Sequence, residues 1–155
     1  MSDQEYYTFS EYMRKDQELL SPSAEDYVEM IYRLSKDQGF TRVIDLATAL
    51  NVQPPSVTKM VQKLSEMDLI KYERYGVIML EDKGNVLGKA LLNRHNRIME
   101  FLKILNIKEG LLAETEKMEH TINGDILTGI EDLVDFFRDN PDILDKFNKY
   151  RSKKA

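Results

Sequence analysis

The 155-residue chain contains no cysteine and only two histidines, His95 and His120. Without cysteine there can be no disulfide, thiolate metal site, iron–sulfur cluster or cysteine nucleophile, so any bound metal must be held by oxygen and nitrogen donors. Such donors suit Mn²⁺ or Fe²⁺ and also admit Co²⁺, Zn²⁺ or Cd²⁺. No run of about 18 uncharged apolar residues occurs, which excludes a transmembrane helix on length. Met1 to Glu18 is polar and acidic with no apolar core, so a secretory signal is not expected and the cytoplasm is the expected location. Internal repeats, low-complexity segments, phosphate-binding glycine loops and candidate nucleophiles are also missing.

What is present is enough apolar sequence, 42% of residues, to build one compact unit or two small lobes. The net charge of -5 argues weakly against nucleic acid as a partner. The acid is unevenly spread, however. The segment from Arg42 to Arg74 carries Arg42, Lys59, Lys63, Lys71 and Arg74, while the N-terminal tail and the stretch from Glu109 to Asp145 are acid-rich. A locally basic lobe on an acidic protein follows.

Apolar positions Tyr27, Ile31 and Leu34 recur at helical spacing between Ser23 and Ser35, with Ser23 read as the N-cap, and Gly39 closes the region. Val43 to Leu50 reads as a short helix, broken by Asn51-Val52-Gln53-Pro54-Pro55. A third helix restarts near Pro54, since proline is tolerated in the first helical turn, and runs to Met67. Leu69 to Arg74 and Val77 to Leu80, separated by Tyr75-Gly76, read as a hairpin.

Helix, short helix, turn, helix, hairpin is the order of a winged helix-turn-helix. The third helix would direct Val57, Met60, Val61 and Leu64 to the core and present Gln53, Ser56, Thr58, Lys59, Gln62 and Lys63 outward, with Arg42 and Arg74 nearby as further candidate DNA contacts. The same polar residues also read as an ordinary solvated face. Tyr72 and Tyr75 near the hairpin tip either pack or touch a DNA backbone.

A long helix is expected from Lys83 to Leu105, enough to leave the first lobe and enter a second. Residues 108 to 150 read as further helices, the last opening at Pro141, and residues 151 to 155 as a frayed tail. This second lobe is too small to hide all its apolar faces, so pairing with a second copy is expected. The fold class is mainly α: an N-terminal winged helix-turn-helix plus a C-terminal all-helical dimerisation domain. Its expected divisions are an extension at 1–20, the DNA-binding domain at 21–82, a connecting helix at 83–105, and a dimerisation and metal-binding domain at 106–150.

Glu116, Glu119 and His120 lie at i, i+3 and i+4, one face of a helix, and can point at one centre. Asp26 and Glu29 repeat the i, i+3 spacing near the start of the first helix. Taken singly, these are also a solvated face, acids favoured at a helix start, and, for His95, a packed or surface histidine. Their joint occurrence suggests a divalent cation.

Together, the stretch Ser23 to Tyr32, Val43-x-Asp45-Leu46-Ala47, Ser56 to Leu64, Asp82-Lys83-Gly84, Arg94-His95 and Glu116-x-x-Glu119-His120 closely resemble the diphtheria toxin repressor family of metal-activated repressors, over roughly Ser21 to Phe137. The resemblance implies a homodimeric repressor of metal uptake genes that binds operator DNA and is not an enzyme. It also implies a paired metal site, two Mn²⁺ per subunit, on Asp26, Glu29, His95, Glu116, Glu119 and His120. The iron-responsive branch uses a methionine and a cysteine as ligands where this chain has Asp26 and Glu119. It also carries a C-terminal SH3-like domain that this sequence does not, and both differences point to the manganese branch. The competing readings are an iron-responsive regulator, a dinuclear carboxylate metalloenzyme and a metal-independent winged-helix regulator. Di-iron carboxylate bundles use two Glu-x-x-His motifs, and here His120 follows Glu116 by four residues with no second copy.

Overall fold

The protein is represented by a computed structural model that describes residues 20–154; the expected extension at 1–20 lies almost wholly outside them. The chain divides into two compact units with the boundary between Asn93 and Arg94.

The first unit opens with helix α1, Pro22–Leu34. Its N-cap is Ser21 rather than Ser23: the Ser21 hydroxyl accepts from the Ala24 N–H at 3.1 Å, and Pro22 takes the first helical position, where a missing N–H leaves no helical bond unmade. Ala24, Tyr27, Val28 and Ile31 are the buried apolar side of α1. A two-residue strand, β1 (Thr41–Arg42), leads into α2, Val43–Leu50, which Asn51 ends in the left-handed conformation at φ 54°. Helix α3, Pro54–Glu66, starts with its proline pair as the sequence predicts, and Val57, Val61 and Leu64 are fully buried.

Strands β2 (Ile70–Glu73) and β3 (Val77–Leu80) pair antiparallel, Tyr72 opposite Ile78. The sheet order is β1-β3-β2, because Thr41 also pairs with Ile78 and makes a third strand that the sequence did not reveal. Two residues are too few to show alternation. The hairpin turn is a 3₁₀ segment, Arg74–Gly76, with Tyr75 at φ 65° and Gly76 at φ 74°. Gly76 suits such a backbone; Tyr75 is there at a steric cost.

Helix α4, Asp82–Ile104, is continuous across the unit boundary. In its first turns glycines permit close approach: a Cβ on Gly84 would collide with the Leu69 carbonyl, and one on Gly88 would lie 2.7 Å from Cβ of Tyr32.

The second unit holds the rest of α4, then α5 (Leu111–Glu119), α6 (Gly124–Asp139) and α7 (Pro141–Ser152). Asn123 caps α6 by accepting from Ile126 N–H at 2.9 Å. Ile98, Leu102, Leu127, Ile130 and Val134 form the core. Arg97 to Asp135 at 2.8 Å and Arg138 to Glu100 at 2.7 Å tie α4 to α6. The expected frayed tail is in part helical, since α7 runs to Ser152 with Lys153 as its C-cap, and Arg151 stacks on the Phe147 ring. Ile126, Leu133 and Phe136 stay exposed on α6, as does Leu112 on α5. Among the described residues no helix is long and apolar enough to cross a membrane.

Candidate metal centre and nucleic-acid interface

In the second unit, α4 and α5 bring together two of the expected donors. His95 Nδ1 lies 2.8 Å from Glu119 Oε2, and both side chains are almost wholly buried, at 6% and 2% exposure. An ionised carboxylate only accepts, so opposite it Nδ1 is the donor of this bond. Burying a carboxylate is costly unless it is partnered, and the imidazole supplies that partner. His120 Nε2 stands 3.6 Å from Glu119 Oε1, so Glu119 lies between the two imidazoles. His120 is the C-cap of α5, not a residue within it, because the helix ends at Glu119.

Glu116, expected on the same face, is exposed, whereas Glu119 is buried and His120 partly so. The two glutamates are three residues and about 60° apart around the helix, enough for one to face inward and the other water.

In the first unit, Asp26 and Glu29 occupy successive turns of α1, Asp26 exposed and Glu29 at the burial limit. Glu29 Oε2 pairs with Arg33 Nη2 at 2.8 Å, an i, i+4 contact that the sequence reading missed. The signal was present: a glutamate four residues before an arginine is the favoured order for a helical ion pair.

The donor set of carboxylates and imidazoles, with no sulfur, fits a hard or borderline divalent cation. The buried histidine hydrogen-bonded to a carboxylate is the kind of oriented pair that metal sites use.

The opposite side of α3 from its core residues carries the candidate DNA contacts. Gln53, Ser56, Lys59, Gln62 and Lys63 are exposed. Thr58 is less available, since it is half-buried and its hydroxyl donates back to the Pro54 carbonyl at 3.2 Å. Arg42 is exposed but engaged: Nη1 donates to the Tyr75 carbonyl at 3.3 Å and the guanidinium lies over the Phe40 ring. It thereby braces the hairpin turn on which Arg74 is exposed and Tyr75 is 91% exposed. The alternative that Tyr75 packs is thus corrected; Tyr72 is half-buried.

A winged helix-turn-helix followed by a helical unit with buried oxygen and nitrogen donors defines a class: DNA-binding regulators that answer to a metal. Comparison with known families agrees. The family described as iron dependent repressor, N-terminal DNA binding domain, matches residues 19–78, and its metal binding and dimerisation domain matches residues 81–148. The chain belongs to the iron dependent repressor family, whose members are transcriptional regulators.

Among its relatives, the HTH-type transcriptional regulator MntR of Shouchella clausii (strain KSM-K16) is 42% identical over 134 residues, 86% of this chain and 94% of that protein. Among solved structures, the manganese regulator SloR is 28% identical with a TM-score of 0.65, the match covering 76% of this chain and 55% of that one. ScaR with bound Zn²⁺ is 28% identical with a TM-score of 0.61, covering 73% and 54%. The chain thus spans nearly all of the MntR relative but only about half of the two solved chains.

Proposed function

We propose that this protein is a manganese-activated transcriptional repressor that binds operator DNA as a homodimer in the cytoplasm and controls metal uptake genes. The single observation that carries this reading is the buried His95–Glu119 pair with His120 beside it, in a unit matched to a metal binding and dimerisation domain and joined by one helix to a winged helix-turn-helix. The likeness to SloR, a manganese regulator, favours manganese over iron. The zinc complex of ScaR indicates that a related site admits other divalent ions.

In this reading residues 21–82 read DNA, 83–105 connect, and 106–150 pair the subunits and hold metal. The proposed ligands for two Mn²⁺ are drawn from all three parts: Asp26 and Glu29 from the reading domain, His95 from the connecting helix, and Glu116, Glu119 and His120 from the last. A bound divalent ion supplies the positive charge that lets these carboxylates share one site. Without it they repel, and the reading domains are not held in register.

Held by a shared ion, Asp26 and Glu29 would anchor α1, and through it α3, to the dimer. Two α3 helices in successive major grooves lie about 34 to 36 Å apart, so only a dimer held near that spacing engages both half-sites. Gln53, Ser56, Lys59, Gln62 and Lys63 face the groove, Thr58 lines its edge, and Arg42 and Arg74 reach the backbone. No small organic substrate is part of this mechanism.

Metal and DNA each favour the same arrangement, so each raises affinity for the other by one factor, about 5 to 150-fold for a typical coupling. Gel shifts with uptake-gene promoter DNA test this. Binding should tighten within that range on adding Mn²⁺, and anaerobic Fe²⁺ should be the weaker activator. Equal binding with and without Mn²⁺ would remove the proposal.

A further inference from the structure

We infer that Arg33 is a built-in counter-ion that competes with metal for Glu29 and so sets how much metal the sensor requires. The inference rests on the reading of Glu29 as a ligand. Arg33 and Glu29 are both on α1, and the guanidinium Nη2 is 2.8 Å from Oε2. The carboxylate side chain is 11% exposed and the guanidinium 34%, so the pair is poorly screened on the Glu29 side.

Arg33 makes this contact under unfavourable terms, because its Nε–H is buried and has no hydrogen-bond acceptor among the described residues. A guanidinium held with one buried donor unmade is held by its charge partner rather than by a full set of bonds. It is therefore well suited to release when a stronger cation takes the carboxylate.

Two effects of opposite sign act on a metal. Arg33 fixes the Glu29 rotamer, which favours binding, and it places a positive charge beside the ligand oxygens, which opposes it. Charges of +1 and +2 sharing one carboxylate repel across roughly 6 Å, worth about a tenfold factor in affinity even at the dielectric constant of water. A single rotamer fixed on a helix already packed in place is worth less. Repulsion wins, and Arg33 weakens metal affinity. A sensor gains from this, since a regulator must stay unloaded until metal is in excess.

Calorimetric titration of the full-length protein with MnCl₂ tests this on the parent, Arg33→Met, Arg33→Lys and Glu29→Gln. Arg33→Met keeps the stem and removes the charge, and should bind Mn²⁺ about tenfold more tightly. Arg33→Lys keeps the charge and should stay within about twofold of the parent. Unchanged or weaker binding by Arg33→Met overturns the inference, as does a tightening that Arg33→Lys shares equally. A merely structural Arg33 would give weaker binding in both variants. Glu29→Gln separates the two readings: lost affinity there with no gain in Arg33→Met sinks the role of Arg33 alone, whereas a parent that binds no Mn²⁺, or a Glu29→Gln equal to the parent, sinks the ligand assignment and the inference with it.

Discussion

Burial is the property of single residues that matters most in this protein. His95 and Glu119 satisfy each other where neither meets water, so truncating one leaves the other short of a partner. His95→Ala should lower the stability of the metal-free protein by about 1 to 3 kcal/mol in urea unfolding, the usual penalty for a stranded buried polar group. It should also lower Mn²⁺ affinity by at least about a hundredfold in calorimetry.

Glu131 on α6 is a half-buried acid whose Oε1 is itself buried and lacks a hydrogen bond among the described residues. Burial raises its carboxyl pKa above the ordinary value; Arg97 opposes this, and Asp135 and Asp132 reinforce it. The fold therefore favours the protonated form. That contribution is complete below the ordinary carboxylate value and is lost as the pH climbs through the raised one. Glu131→Gln should accordingly have a higher Tm than the parent at pH 7, with the difference shrinking toward zero near pH 4. A difference that grows on acidification would reverse this assignment.

Among the elements, α3 divides into a buried stripe of Val57, Val61 and Leu64 and a solvent side of Ser56, Lys59, Gln62 and Lys63. Both stripes were legible, because a 3.6-residue period sorts side chains before any packing is known. If the charged members reach phosphates, as the proposed function has it, Lys59→Ala with Lys63→Ala should weaken operator binding and lower the slope of log affinity against log salt by about two, read from gel shifts at several ionic strengths. An unchanged slope would mean these lysines never meet DNA.

Other element details were not legible. Two serines lie at the start of α1, and Ser21 rather than Ser23 caps it because Pro22 takes the first helical position. Strand β1 exists only through its pairing with β3, a contact between segments more than thirty residues apart in the chain that local pattern cannot display. Arg42 was legible as a cation, yet its engagement with the Tyr75 carbonyl depends on where the hairpin turn lies.

At the scale of the whole molecule, the second unit leaves Ile126, Leu133 and Phe136 exposed on one helix. In a chain matched to a dimerisation domain this is the surface expected to be covered by a second copy. Leu133→Glu with Phe136→Glu should give a monomer in analytical ultracentrifugation and lose high-affinity operator binding, since a lone subunit engages one half-site. A dimer that survives both changes would place the interface elsewhere.

The sequence by itself determined the donor chemistry, the order of helices and hairpin, and the polar face of α3, because composition, period and turn residues act locally. Only the tertiary structure decided that Glu119 is buried between two imidazoles while Glu116 faces water, and that Glu29 already holds Arg33. The reason is physical: spacing sets which side chains share a helix face, whereas burial and partner choice depend on what other segments, remote in the chain, pack against that face.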